Sequence, residues 1–218
     1  MKIKEVYEII LDLYEKGSLC NLCQANANKG LTGLILEKMS GLPNSTKKLD
    51  CDDGDLKTHR VITLKDGTLQ VKETMALSMF NLSHVVENSF ETSDYSKKLE
   101  TLVVAPNTKD EKTGLISVHK PKLVRLKKDY PVFWEQIKLD YETIREYAKK
   151  GTKLTASQGI LMQTRTKGSA NSTTRAFYLL APLVAAFYDD VASSNIKHKI
   201  RKEWWKNYNE QTEKGCAA

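Results

Sequence analysis

Leu49-Asp50-Cys51-Asp52-Asp53-Gly54-Asp55-Leu56-Lys57-Thr58 sets four carboxylates and one lysine in a polar turn that runs into a candidate strand. Side chains two apart on a strand share a face, so Asp55 and Lys57 are expected to project together while Leu56 turns to the core. Upstream, Gly30-Leu31-Thr32-Gly33-Leu34-Ile35-Leu36-Glu37 reads as an amphipathic helix with Leu31, Leu34 and Ile35 on its apolar side, turning Glu37 back toward the acids. Two acids followed by acid-x-lysine suit a hard divalent cation such as Mg²⁺ held against a phosphodiester. Carboxylate oxygens bind the ion, and the ammonium sits beside the attacking water or the scissile phosphate. Taken alone, the same residues also fit an acidic surface turn beside a satisfied lysine.

A chain of 218 residues with 40% hydrophobic side chains suits one domain with a sizeable core. Thirty-four basic against 27 acidic residues give a net charge of +7, which favours a polyanionic partner without identifying one. Residues 1–15 interleave Lys2, Lys4, Glu5, Glu8 and Asp12 with apolar positions, which excludes a signal-peptide core. No apolar run approaches the ~20 residues of a membrane span, and an intracellular protein is expected. Of Cys20, Cys23, Cys51 and Cys216, only Cys20-Asn21-Leu22-Cys23 has metal-ligand spacing. That is half a zinc site, so reduced thiols are expected.

Ile3, Val6, Ile9, Ile10, Leu13 and Tyr14 recur at helical spacing before Gly17, and the Glu37 helix should end near Gly41 and Pro43. Candidate strands Asp55 to Leu64 and Thr68 to Leu77 flank Lys65-Asp66-Gly67, a hairpin signal. Asn81 to Lys98 is polar and ambiguous; Thr101 to Ala105, Leu115 to Val118 and Leu123 to Leu126 read as short strands separated by Pro106, Gly114 and Pro121. Pro131 to Lys150 is a helix with Phe133, Trp134, Ile137, Tyr141, Ile144 and Ala148 as its stripe and Gly151 at the C-cap. Ile160 to Gln163 reads as a strand opening into an arm, Thr164 to Arg175, rich in hydroxyls and cations. Such an arm is either a solvated loop or a nucleic-acid reader. A strand Ala176 to Leu180, a helix Pro182 to Val191 and a basic helix Lys197 to Lys206 carrying Trp204 and Trp205 complete the reading.

Two blocks resemble the MutH mismatch-repair endonucleases and the related GATC-cutting type II restriction endonucleases. The first is Lys29-Gly30-Leu31-Thr32-Gly33 with Leu36-Glu37, then Asp55-Leu56-Lys57-Thr58. The second is Trp134-Glu135, Leu154-Thr155-Ala156, Gln163-Thr164-Arg165-Thr166-Lys167 and Arg175-Ala176-Phe177-Tyr178-Leu179, in the same order as in the family. The resemblance implies an α/β fold: a restriction-endonuclease-like core, a mixed sheet flanked by helices, with a DNA-binding cleft. A single domain, 1–218, would hold a catalytic lobe of about 1–80, a DNA-reading lobe of about 130–190, and a basic helix and tail over 191–218. Glu37 would be the helix carboxylate, Asp55 the second metal-binding acid and Lys57 the catalytic lysine. The first metal-binding acid falls on Asp50, with Asp52 and Asp53 as alternatives. The family usually has Glu where this chain has Asp55, and a longer separation from the first acid, so the turn here must be tighter. Arg165 and Lys167 fall on the base-reading loop, with Arg175 beside it, and Tyr178 where a tyrosine lies near the adenine that methylation marks. Arg and Lys are also the donors that suit guanine O6 and N7 in the major groove; contact with phosphates alone is the alternative.

The expectation is therefore a Mg²⁺-dependent site-specific deoxyribonuclease, a type II restriction enzyme cutting double-stranded DNA at GATC-like sites to leave 5′-phosphate and 3′-hydroxyl ends. A cognate DNA methyltransferase would be its genetic partner. The alternatives are a MutH-like repair nickase that waits for partner proteins, and a catalytically silent DNA-binding or effector module. A single site cuts one strand per engagement, so a monomer in solution that pairs on DNA or nicks in succession is expected.

Overall fold

A computed structural model describes residues 1–24, 30–43, 50–167, 174–193, 196 and 198–215 of the chain. Lys29, Leu49, the arm residues Gly168–Thr173, Lys197 and Cys216 lie outside the described residues. In chain order the elements are α1 (Ile3–Glu15), β1 (Cys23–Gln24), α2 (Leu31–Met39), β2 (Asp55–Thr63), β3 (Leu69–Val71), β4 (Met75–Phe80), α3 (Leu82–Glu87), α4 (Asp94–Glu100), β5 (Leu102–Lys109), β6 (Leu115–Val118), β7 (Lys122–Val124), α5 (Leu126–Asp129), α6 (Pro131–Lys149), β8 (Met162–Thr166), β9 (Arg175–Leu179), α7 (Ala181–Ala185), β10 (Val191–Ser193) and α8 (Lys199–Gly215). They form a mixed sheet ordered β1-β6-β5-β2-β3-β10, with β7 also on β5, and a separate antiparallel sheet β4-β9-β8. The class is α/β, a mixed sheet flanked by helices, as expected.

The centre is the parallel pair β2 and β5, in register from Asp55 opposite Leu102 to Arg60 opposite Asn107. Parallel pairs are covered on both faces, which is why Leu102 to Asn107 are buried without alternation. Leu56, Val103 and Ala105 join a core with Ile3, Val6 and Ile10 of α1 and Leu36 of α2. Leu102 and Val104 join the larger core on the other side, with Leu99 of α4 and Tyr141 and Ile144 of α6.

Several expected boundaries shift, each for a local reason. β5 runs through Pro106, because the proline sits between Leu102–Val104, paired with β7, and Asn107–Lys109, paired with β6. The hairpin at Asp66-Gly67 forms, pairing Thr63 with Leu69, but its second arm is not one strand to Leu77. It breaks after Val71, and β4 crosses to the second sheet to pair with β9. The ambiguous stretch holds two short helices, capped where the Asn81 side chain accepts from Ser83 N and the Ser93 side chain from Ser96 N. The strand expected to Leu126 ends at Val124, and Leu126 begins α5. The reading arm is shorter than expected, since Thr164 to Thr166 belong to β8 and ladder with β9. The helix expected over Pro182 to Val191 stops at Ala185; Tyr188 turns inward, and Val191 starts β10 against β3. α8 extends past Lys206 and packs Trp204, Trp205 and Tyr208 around Phe133 of α6, so the tryptophans cover their own chain.

β2 also buries a histidine. The Tyr188 hydroxyl donates to Val104 O at 3.3 Å and lies 3.0 Å from His59 Nε2. Nε2 then carries the ring proton and donates to the tyrosine oxygen, leaving Nδ1 buried with no hydrogen-bond partner. Burial pushes the His59 pKa down to about 4. Between pH 4 and 6.5 the unfolded chain binds the extra proton, so stability is full above pH 6.5 and falls as pH drops toward 4, by about 3 kcal/mol at most. Denaturant melts of wild type and His59→Gln across pH 4 to 7.5 should show that slope in the wild type minus variant difference; a flat difference would remove His59 from the pH response.

Candidate active site and reading strand

The acidic turn is tied together by its own backbone. Cys51 N donates to Gly54 O at 3.1 Å, Asp50 N to Asp55 Oδ1 at 3.0 Å and Leu56 N to Asp50 Oδ2 at 3.0 Å. Each of the two acids thus holds the other's neighbourhood, which is the tighter turn that the short spacing requires. A Cβ on Gly54 would stand 2.6 Å from Thr101 O and 2.8 Å from Ile3 Cβ, so only glycine lets the turn press between α1 and β5.

Lys57 Nζ lies 2.6 Å from Asp55 Oδ2 and 3.4 Å from Asp50 Oδ2. Asp55 is fully buried, and burial raises its pKa while Lys57 opposes the rise. For Asp50, burial is outweighed by Lys57 and by hydrogen bonds at its carboxylate, which hold its pKa below the ordinary value. Burial would discharge Lys57, but Asp55 and Asp50 outweigh it and raise its pKa, so the ammonium stays charged. Glu37 joins the same field: burial raises its pKa first and Asp50 adds to the rise. Asp55 Oδ2 accepts no well-directed hydrogen bond, although the lysine is in ion-pair contact.

Asp52 and Asp53 face elsewhere. Asp52 Oδ2 takes the Met1 ammonium at 3.0 Å, and Asp53 Oδ1 accepts from Ile3 N at 2.8 Å, both at the start of α1. The structure therefore brings Asp50, Asp55 and Lys57 together, with Glu37 near enough to feel the charges. Between them Cys51 is buried, its thiol pushed up to about 12 by burial and by Asp50, so it is inert. Lys98 of α4 also reaches in, its Nζ 3.9 Å from Asp55 Oδ2. Sequence reading missed it because Lys98 lies in the polar stretch and shares no spacing with the acids. Two hard carboxylates fit Mg²⁺, which keeps most of its waters and binds through one or two such groups. Among the described residues no group of three or more His, Cys, Asp and Glu side chains is placed to hold a metal ion by itself. Cys20, Cys23 and Cys51 are free thiols.

Strands β8 and β9 pair Gln163 with Tyr178 and Arg165 with Ala176, which puts Gln163, Arg165 and Tyr178 on one face. The Arg165 guanidinium lies 5.9 Å from the Tyr178 ring centroid. Lys167 follows β8 and is exposed, its N–H donating to Thr174 O at 2.8 Å. Arg175 pairs with Thr166 and, by register, shares the opposite face with Phe177, so it is not gathered with Arg165. The loop before β8 is clamped from two helices. Asp140 of α6 accepts from Ile160, Leu161 and Met162 N at 2.9, 2.7 and 2.8 Å. Arg201 of α8 donates to Gly159 O at 2.9 Å and Ala156 O at 2.7 Å. Gly159, at φ +133, leaves no room for a Cβ, which would meet Met162 O at 2.1 Å. A charge inside the apolar stripe of α6 was the available sign of Asp140; Arg201 gave none.

Residues 42–146 match the family described as MutH: DNA mismatch repair enzyme MutH. The match spans the acidic turn, β2, Lys98, β5 and most of α6, and ends before β8 and β9. No curated protein matches the chain. Residues 42–146 thus resemble the MutH family, and DNA endonuclease is the activity this family supports. Among the described residues no helix is long and apolar enough to cross a membrane.

Single substitutions separate the turn acids. Asp50→Ala should lower DNA cleavage by roughly 10²-fold or more, the scale of losing one group that stabilises developing charge. Asp53→Ala should leave cleavage intact and lower stability by about 1 kcal/mol through the lost contact to Ile3 N. Full activity in Asp50→Ala, read on a labelled duplex, would move the role to another acid.

Proposed function

We propose that this chain, with its MutH-like segment, is a Mg²⁺-dependent site-specific endonuclease that cuts duplex DNA at GATC-like sites as a type II restriction enzyme does, leaving 5′-phosphate and 3′-hydroxyl ends. The observation that carries the reading is the Asp50, Asp55 and Lys57 arrangement with Lys98 beside it. Asp50 and Asp55 would hold Mg²⁺, which when bound supplies a Lewis acid that neutralises charge developing on the phosphate. Lys57 keeps its proton between the two acids and orients the attacking water by donating to its oxygen. That water forms the new P–O bond, the P–O3′ bond breaks, and O3′ leaves and takes up a proton from solvent. Lys98 adds positive charge near the non-bridging oxygens, which carry the negative charge of the pentacoordinate transition state. Glu37, its pKa raised toward that of a base, takes the proton that the water gives up as the new P–O bond forms.

Recognition is assigned to Arg165 and Lys167, which suit guanine O6 and N7, with Tyr178 against the adenine beside it and Arg175 contributing charge to the backbone. The protein acts as a monomer in solution that pairs on DNA or nicks twice in succession. A second reading, a repair nickase that waits for partner proteins, is favoured by one observation: the matched family is described by mismatch repair.

A supercoiled plasmid with one GATC site, incubated with Mg²⁺ alone and sampled over time, separates the two. Linear product, directly or through an open-circle intermediate, is expected; open circle that never becomes linear, or no cleavage until a repair partner is added, rejects restriction in favour of nicking. Lys98→Ala should slow cleavage between roughly tenfold and 10³-fold while leaving duplex affinity within about twofold, since the residue acts at the scissile phosphate and not in docking. Unchanged cleavage would remove Lys98 from the chemistry.

A further inference from the structure

Gln163 is 2% exposed and lies on the same sheet face as Arg165, two residues along β8. Its carboxamide orientation is assigned by its surroundings: with the nitrogen toward Ala156 O at 2.9 Å, the oxygen accepts from Arg165 Nε at 2.8 Å and Nη2 at 3.2 Å. The opposite orientation would set oxygen against a carbonyl and nitrogen against a guanidinium. Ala156 O is itself fixed by Arg201 Nη2, so the amide is anchored to a carbonyl that α8 holds.

The chemistry of the guanidinium gives this contact a meaning. Arginine offers two forks of N–H groups: a side-on edge of Nε and Nη2, and an end-on edge of Nη1 and the second Nη2 proton. Gln163 takes the side-on edge. The end-on edge is left, and its geometry matches the paired acceptors O6 and N7 of guanine. Tyr178 lies near the guanidinium at 5.9 Å and restricts it further. A long exposed arginine otherwise loses rotamer freedom when it docks, and a preset rotamer avoids that cost.

We propose that Gln163 is a positioning residue that fixes the Arg165 rotamer and presents its end-on edge to guanine, so that selectivity for the site depends on a side chain that does not touch the DNA. The selectivity part rests on the base-reading role given to Arg165 above; the positioning part does not.

Two measurements test it. In the free protein, the Arg165 Nε–H resonance should be slow to exchange in wild type and lost to solvent exchange in Gln163→Met, which keeps the volume but has no acceptor. Gln163→Glu keeps an acceptor toward the guanidinium and should keep the resonance, even if the buried carboxylate lowers the melting temperature. A resonance unchanged in Gln163→Met, or lost equally in both variants, overturns the positioning role. In binding without divalent cation, the ratio of affinities for a GATC duplex and one altered at guanine should fall roughly three- to tenfold in Gln163→Met, the scale of immobilising one rotamer-rich side chain. The double variant with Arg165→Ala should be no worse than Arg165→Ala alone. Additive losses, or an unchanged ratio in Gln163→Met when Arg165→Ala lowers it, overturn the inference. If Arg165→Ala leaves the ratio unchanged, base reading by Arg165 has failed and the selectivity claim fails with it, while the resonance still decides whether Gln163 holds the guanidinium.

Discussion

A carboxylate with no exposure, Asp55, stands at the head of the central parallel strand pair, and much of the surrounding structure compensates it. A buried carboxylate left alone costs several kcal/mol, so the fold must supply a cation and donors or hold the group neutral. Lys57 supplies the cation, the Asp50 N–H donates to Asp55, and Gly54 lets the turn close tightly enough for both. The result is charge density concentrated at Asp55 Oδ2, which Lys57 meets in an ion pair and Lys98 approaches. Such an arrangement is a poor way to stabilise a protein and a good way to hold a hard cation.

The second sheet uses the same device at a distance from the acids. Asp140 is buried within an apolar helix stripe, where three backbone N–H groups and Gln136 satisfy its oxygens. Burial still raises its pKa, but the fan of donors opposes the shift and fixes the strand entry to within hydrogen-bond geometry. Arg201 closes the loop from α8, so the strand that carries Arg165 is held by two helices rather than by its own ladder alone. Aromatic packing of Phe177 against Tyr95 of α4 and Tyr141 of α6 then joins this sheet to the rest of the core.

The sequence by itself determined those features that depend on neighbours along the chain. Alternation on β2 put Asp55 and Lys57 together, the apolar period of α6 drew its stripe, and Asp66-Gly67 marked the hairpin, because each follows from backbone geometry over a few residues. The α/β class and the order of the site residues were legible from the resemblance of the two sequence blocks to a known family, and not from local geometry. Only the tertiary structure decided what depends on contacts between distant segments. It separated Asp50 from Asp52 and Asp53, since that choice turns on the start of α1 lying against the turn. It brought in Lys98 across 43 positions of sequence from Asp55, and it ended the α7 helix early by turning Tyr188 toward His59. It also tied Gln163 to Arg165 and moved Arg175 to the other face, because strand register is set by pairing and not by composition.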